Sequence, residues 1–327
     1  MNTYLSAEQK YCNTKQTMLN KSFSYLIKAI LLLFIVISNL SAFGQNTYQS
    51  LATGPGIWSN PNSWTPTGVP GDGDFVEIRG GHTITVTANA TCSTLTFTGT
   101  NTWNLAVNSG ATLNVSGAII MDYSTSSTNL TANISGQGTI NCQSIVLGNN
   151  ISGYSGRRTC TFNSSIAYIN VSENIVINSY YYYYWGSRRR NGIFAHNEGT
   201  IVVNGSISAQ SQSSSTSTFR LGTSSPYLIL KGENSFVLSN TGTNTITLNT
   251  TGSTVEYQRN GNQYVYNTNY YNLISSVSGV KTLQGTVGVR NLTINGTSNL
   301  AAAYPITGHS LGRLEMNNTS TLTLGSA

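Results

Sequence analysis

Beyond residue 45, short segments of alternating apolar and polar residues recur between turns rich in Gly, Asn and Ser. Examples are Thr83-Ile-Thr-Val86, Thr94-Leu-Thr-Phe97, Ala111-Thr-Leu-Asn-Val115, Thr139-Ile-Asn-Cys142, Thr245-Ile-Thr-Leu248 and Thr321-Leu-Thr-Leu324. Period-two alternation with β-branched residues predicts strands with one buried face, and hardly any stretch carries a helical period. A loose unit of Gly or Ser, Thr, aliphatic, polar, aliphatic starts at Gly110, Gly138, Gly199, Gly252 and Gly285. These starts are one or two units of roughly 30 residues apart, the spacing of a stacked solenoid. One turn cannot bury its own apolar side, and neighbouring turns complete the core between them. The pattern therefore predicts an all-β chain coiled as a parallel β-helix over 45–327, with residues 50–90 as an N-terminal cap region and roughly 9 to 12 rungs. The competing architecture is a pair of antiparallel β-sandwiches, for which the Asn-Gly pairs at 191, 204, 260 and 295 would supply tight hairpin turns.

The first 44 residues read differently. Lys21 and Lys28 precede the apolar run Ala29–Ile37, and small residues follow up to Ala42-Phe43-Gly44. Basic flank, short apolar segment and small residues before the break predict a helical secretory signal peptide at 1–44. The run is too short to span a bilayer, which needs about 20 apolar residues. Met18 would start a signal peptide of ordinary length, making residues 1–17 an upstream extension. No Cys follows Gly44 directly, which argues against a lipid anchor there.

Composition sharpens this picture. Charged residues make up 8% of the chain, against about 25% in an average globular protein, and Thr, Ser, Asn and Gly stand in their place. From residue 45 on there are 12 Lys and Arg and 9 Asp and Glu, a net charge of only +3. Five of the arginines fall in Arg157-Arg158 and Arg188-Arg189-Arg190, which is local charge rather than a nucleic-acid footprint. Three cysteines follow the leader: Cys92, Cys142 and Cys160. An odd number leaves a thiol over in an oxidising compartment. Cys142 and Cys160 share parity with apolar neighbours and are expected to point inward as buried thiols. A Cys142–Cys160 bridge is the alternative if they sit on adjacent rungs about 4.8 Å apart.

Candidate chemistry is sparse. Asp72 and Asp74, with Glu77 nearby, are weak calcium candidates; a turn in which Asp72 accepts backbone hydrogen bonds is the plainer reading. Glycoside hydrolysis needs two facing carboxylates, yet the nine acids are scattered mostly singly. His82, His196 and His309 have no evident partners in sequence. The expectation is a non-enzymatic protein without a cofactor. The most unusual segment is Tyr180-Tyr-Tyr-Tyr-Tyr-Trp185 followed by Gly186-Ser-Arg-Arg-Arg190. An aliphatic interior does not readily take its phenols, so part of it should be exposed. Tyr183, Tyr184, Trp185, Arg188 and Arg189 are then the candidate contacts for a glycan, through ring stacking and charge. An aromatic flap over the solenoid is the structural alternative.

Two stretches resemble known families. Gly56-Ile-Trp58, Ser63-Trp64, Gly68-Val-Pro70, Gly73-Asp74, Val76-Glu-Ile78 and Gly81-His-Thr-Ile-Thr-Val86 resemble the opening of the eight-glycine domain family and its secreted bacterial relatives. Gly252-Ser-Thr-Val-Glu-Tyr257, Gly261-Asn-Gln263, Tyr270-Tyr-Asn-Leu273, Lys281-Thr-Leu283 and Leu292-Thr-Ile294 resemble a repeat of very large surface proteins exported by the type IX route. The resemblance implies a right-handed β-helix (solenoid), a secreted or cell-surface location, dealings with secretion machinery and extracellular glycans, and an adhesin or matrix role. It supplies no catalytic residues. Those proteins end in a sorting domain, so a chain stopping at Leu324-Gly-Ser-Ala327 within a repeat is expected to be a fragment. A carbohydrate-binding module using 180–190 and a β-helix polysaccharide lyase or hydrolase are the other two expectations.

Overall fold

The computed structural model describes residues 45–99, 102–122, 129–148, 158–183, 187–239 and 241–324, together with Ile27, Lys28 and Ile30. The chain divides into two units, Met1–Gly44 and Gln45–Ala327. In the first, the three described residues are helical.

Among the described residues of the second unit the regular elements are strands, apart from a 3-10 turn at Pro61–Ser63. Twenty-two of the described strands join in one long sheet, and Gln263–Val265, Ser278–Leu283, Thr297–Ala302 and Thr321–Leu324 form a second sheet of four. Among the described strands pairing is parallel, with two exceptions. Thr47–Ser50 runs antiparallel to Trp64–Thr65, and Ile175–Tyr183 runs antiparallel to Ser187–His196. The facing antiparallel sheets of a sandwich are thereby ruled out. Of the Asn-Gly pairs, Asn191-Gly192 lies inside the strand Ser187–His196 rather than at a hairpin tip.

Alternation within each strand and register between strands act together. Because successive side chains point to opposite faces, in-register parallel pairing stacks every inward residue on an inward residue. Val76, Leu95, Ile119, Ile145, Ile175, Ile207 and Phe236 form one such column. Ala90, Leu113, Ile140, Ile169, Ile201, Leu228, Val255, Leu273 and Leu292 form a second. All sixteen side chains are buried. Burying each larger aliphatic contributes about 1.5–3 kcal/mol. Within a third face, Phe162, Phe194 and Phe219 stack with ring centroids 4.9 and 5.4 Å apart and planes within 10°.

Outward positions carry the complementary polar order. The Asn133 amide donates to Asn104 Oδ1 and the Asn163 amide to Asn133 Oδ1, each at 3.1 Å. These steps are 29 and 30 residues long. Toward the C-terminus the return shortens: Asn272 reaches Thr254 across 18 residues, and Asn291 reaches Asn272 across 19. Corners demand glycine in places. At Gly136, φ is +109° and a Cβ would lie 2.1 Å from the Val107 carbonyl oxygen, so no other residue fits without moving the backbone.

Candidate functional site

The tyrosine and arginine segment is the antiparallel exception. Tyr180 pairs with Arg190, Tyr181 with Arg189, Tyr182 with Arg188 and Tyr183 with Ser187. A hairpin therefore grows out of a sheet that is otherwise parallel. The base of this hairpin belongs to the core. Tyr180 packs against the hydrophobic cluster, and Arg190 is only 5% exposed, in register with the equally buried Arg158. Parity explains this: Arg158 shares its face with the inward Cys160 and Phe162, and Arg190 shares its face with the inward Phe194. Arg189, one residue on, is exposed. Of the charge cluster 188–190, Arg190 therefore belongs to the interior while Arg189, a candidate contact, is exposed. For Tyr183 and Arg188 the structure describes the backbone alone, and Tyr184 and Trp185 lie outside the described residues.

Asp74, not Asp72, closes the turn at 71–74. Its Oδ2 accepts the Gly71 N–H at 2.9 Å and its Oδ1 accepts the Asn46 N–H at 3.1 Å. Asp72 is exposed. Both oxygens of Asp74 thus accept from backbone donors, the capping role that the plainer reading gave to Asp72. Among the described residues no group of three His, Cys, Asp or Glu is placed to hold a metal ion.

All three thiols are free and buried. Register separates the two that a bridge would have joined. Cys142 stacks between Val115 and Val171, whereas Cys160 stacks between Leu130 and Gly192. Burial pushes the Cys92 and Cys142 thiols up to about 12 and Cys160 higher still, which makes them inert as nucleophiles.

His196 occupies an inward column between Ser164 and Leu221. Its Nε2 lies 3.0 Å from the Gly199 carbonyl oxygen and its Nδ1 3.4 Å from Ser164 Oγ. Burial lowers it to about 4, against a smaller opposing effect of the Gly199 carbonyl. His82 sits near the surface, its Nδ1 2.7 Å from Ser50 Oγ.

The motif at 252–283 resolves into a buried polar network that strand parity alone did not reveal. Glu256 Oε2 accepts from the Tyr227 hydroxyl at 2.7 Å, and Oε1 accepts from Gln258 Nε2 at 3.1 Å. The Tyr270 hydroxyl donates to the Tyr266 carbonyl at 2.5 Å, so the proton of the 2.8 Å Tyr257–Tyr270 contact comes from Tyr257. Tyr257 in turn accepts the Tyr266 N–H at 3.1 Å. Gln263 Nε2 donates to the Leu230 and Gly232 carbonyls at 2.9 Å. Lys281, in register with Gln263, is fully buried and directs Nζ at three carbonyls: Arg259 at 2.6 Å, Gly261 at 2.8 Å and Ser278 at 2.7 Å. Three donors meet three acceptors without a carboxylate. Parity with Leu283 was the signal that would have placed Lys281 inside. Through these contacts the motif residues tie neighbouring turns together.

No protein-family model matches this chain, and no curated protein or solved structure matches it either.

Proposed function

We propose that residues 45–327 form a right-handed parallel β-helix acting as a non-enzymatic scaffold, a secreted or cell-surface protein of adhesin or matrix type. The observation that carries this reading is the unbroken stacking of inward aliphatics, from Ala90 to Leu292 in one column. Parallel strands that return with one register need crossovers of one hand, and such crossovers are right-handed in about 98% of cases. Backbone hydrogen bonds then run along one axis, giving a stiff rod whose connections are its variable parts. The leader pattern of Lys28, Ala29–Ile37 and Ala42-Phe43-Gly44 supports export. The resemblance to eight-glycine domains and to repeats of type IX cargo supports the outer surface as destination. Polar outward faces with few charges suit contact with extracellular glycans, and the segment 180–190 is a second, carbohydrate-binding reading because among the described strands it alone pairs antiparallel in the middle of the parallel array.

The test is expression of the full chain with its leader in a Gram-negative host, with N-terminal sequencing and protease shaving of intact cells. Cleavage after Gly44 and loss of the protein on shaving are expected. A cytoplasmic, uncleaved product would overturn the export reading. Release of reducing or unsaturated sugars from a polysaccharide panel would overturn the non-enzymatic one.

A further inference from the structure

A cleft of about 340 Å³ lies between the loop 51–56 and the segment 81–85. Its volume is in the range of small-molecule sites, which begin near 300 Å³. His82 lines it together with Thr83 and Thr85. Ser50 Oγ accepts the Arg79 N–H at 2.9 Å and lies 2.7 Å from His82 Nδ1. Ser50 is 1% exposed, so the contact that holds the ring is shielded from water. The imidazolium carries a proton on both ring nitrogens, so with Nδ1 held at Ser50 its Nε2–H is the donor left for an anion. Above Gly81 a Cβ would meet nothing within 4 Å, so the cleft is open on that side.

Charge selects the ligand. The lining residues include no carboxylate. Arg79 is close enough to depress the His82 imidazolium, although burial has the larger effect. The next acid along that strand, Glu77, is engaged by Gln49 Nε2 at 2.8 Å. The cleft therefore offers hydroxyls and an imidazole, with no carboxylate in its lining and the Arg79 charge within reach of the ring. We infer that it is a subsite for a carboxylate-bearing sugar, the carboxylate meeting His82 Nε2–H beside Arg79 and the sugar hydroxyls meeting Thr83 and Thr85. This inference rests on the cleft alone and survives if the rod is not displayed on a cell.

The test uses NMR of the chain from residue 45 with labelled histidines, titrated in glucuronate, glucose or acetate at equal ionic strength. An anion at Nε2 favours the imidazolium, so glucuronate should raise the His82 midpoint by about one pH unit and leave His196 unmoved. Glucose and acetate should do markedly less, and His82→Gln should abolish the accompanying shifts of the Thr83 and Thr85 amides. Should His82→Gln fail to fold, the wild-type titration decides. Equal effects of glucose or acetate, no effect of glucuronate, or a parallel shift of His196 would overturn the subsite.

Discussion

Replacing His196 by Leu tests how the interior handles a deeply placed imidazole. The folded chain holds this ring near 4 while an unfolded chain returns it to 6.5. The native state therefore binds fewer protons than the unfolded state between these values, and stability rises with pH across the window. Read downward, stability is intact above pH 6.5 and is lost as pH falls toward 4. The difference is about 2.5 units, or about 3 kcal/mol at 1.36 kcal/mol per unit. In His196→Leu this loss disappears. The substitution itself is mild at neutral pH, because the Gly199 carbonyl keeps the Tyr227 N–H at 2.8 Å and the column partner Leu221 is already aliphatic. The variant should fall within about 1 kcal/mol of wild type at pH 7. Urea unfolding of both proteins at pH 7, 5.5 and 4 gives the difference, from which carboxylate titrations common to both cancel. If that difference stays constant from pH 7 to 4, His196 is not buried and neutral, and the column assignment around it is wrong.

Other substitutions probe other layers. Ile175→Ala, in the column between Ile145 and Ile207, should cost about 2–5 kcal/mol, whereas the outward Thr161→Ala should stay within about 0.5 kcal/mol; equal losses would deny the in/out assignment. Lys281→Met strands three carbonyls and should cost about 2–4 kcal/mol at pH 7. Burial, aided by Arg259, lowers the Lys281 ammonium to about 8, so wild type should gain stability relative to Lys281→Met between pH 8 and 10.5. A relative loss there would mean that the three carbonyls hold the proton more tightly than burial expels it. Cys92, Cys142 and Cys160 should resist a disulfide reagent in the native chain and react together on unfolding; a fast-reacting native thiol would contradict their burial.

Much of the architecture was legible because it rests on parity, which one strand displays by itself. The inward positions of Cys142 and Cys160 could be read from Ile140 and Phe162 beside them. Which rung each occupies could not, since the return length varies from 18 residues at Asn272 to 34 at Asn197 and register depends on loops that carry no period. The same blindness hid Lys281. Its type argues for solvent, and only the three carbonyls converging from two turns reverse that preference. Arg158 and Arg190 illustrate the converse, where a charge run conceals strict alternation. Asp74 took the capping role expected of Asp72 because its oxygens reach Gly71 and Asn46 together, a contact 28 residues away that local turn chemistry does not contain.

Methyl NOE spectroscopy of the chain from residue 45, with isoleucine δ1 methyls labelled, measures the stacking itself. Consecutive cross-peaks are predicted along Ile119, Ile145, Ile175 and Ile207, and along Ile140, Ile169 and Ile201. Cross-peaks confined to sequence-adjacent hairpin partners, with both series missing, would contradict the parallel coil and everything proposed from it.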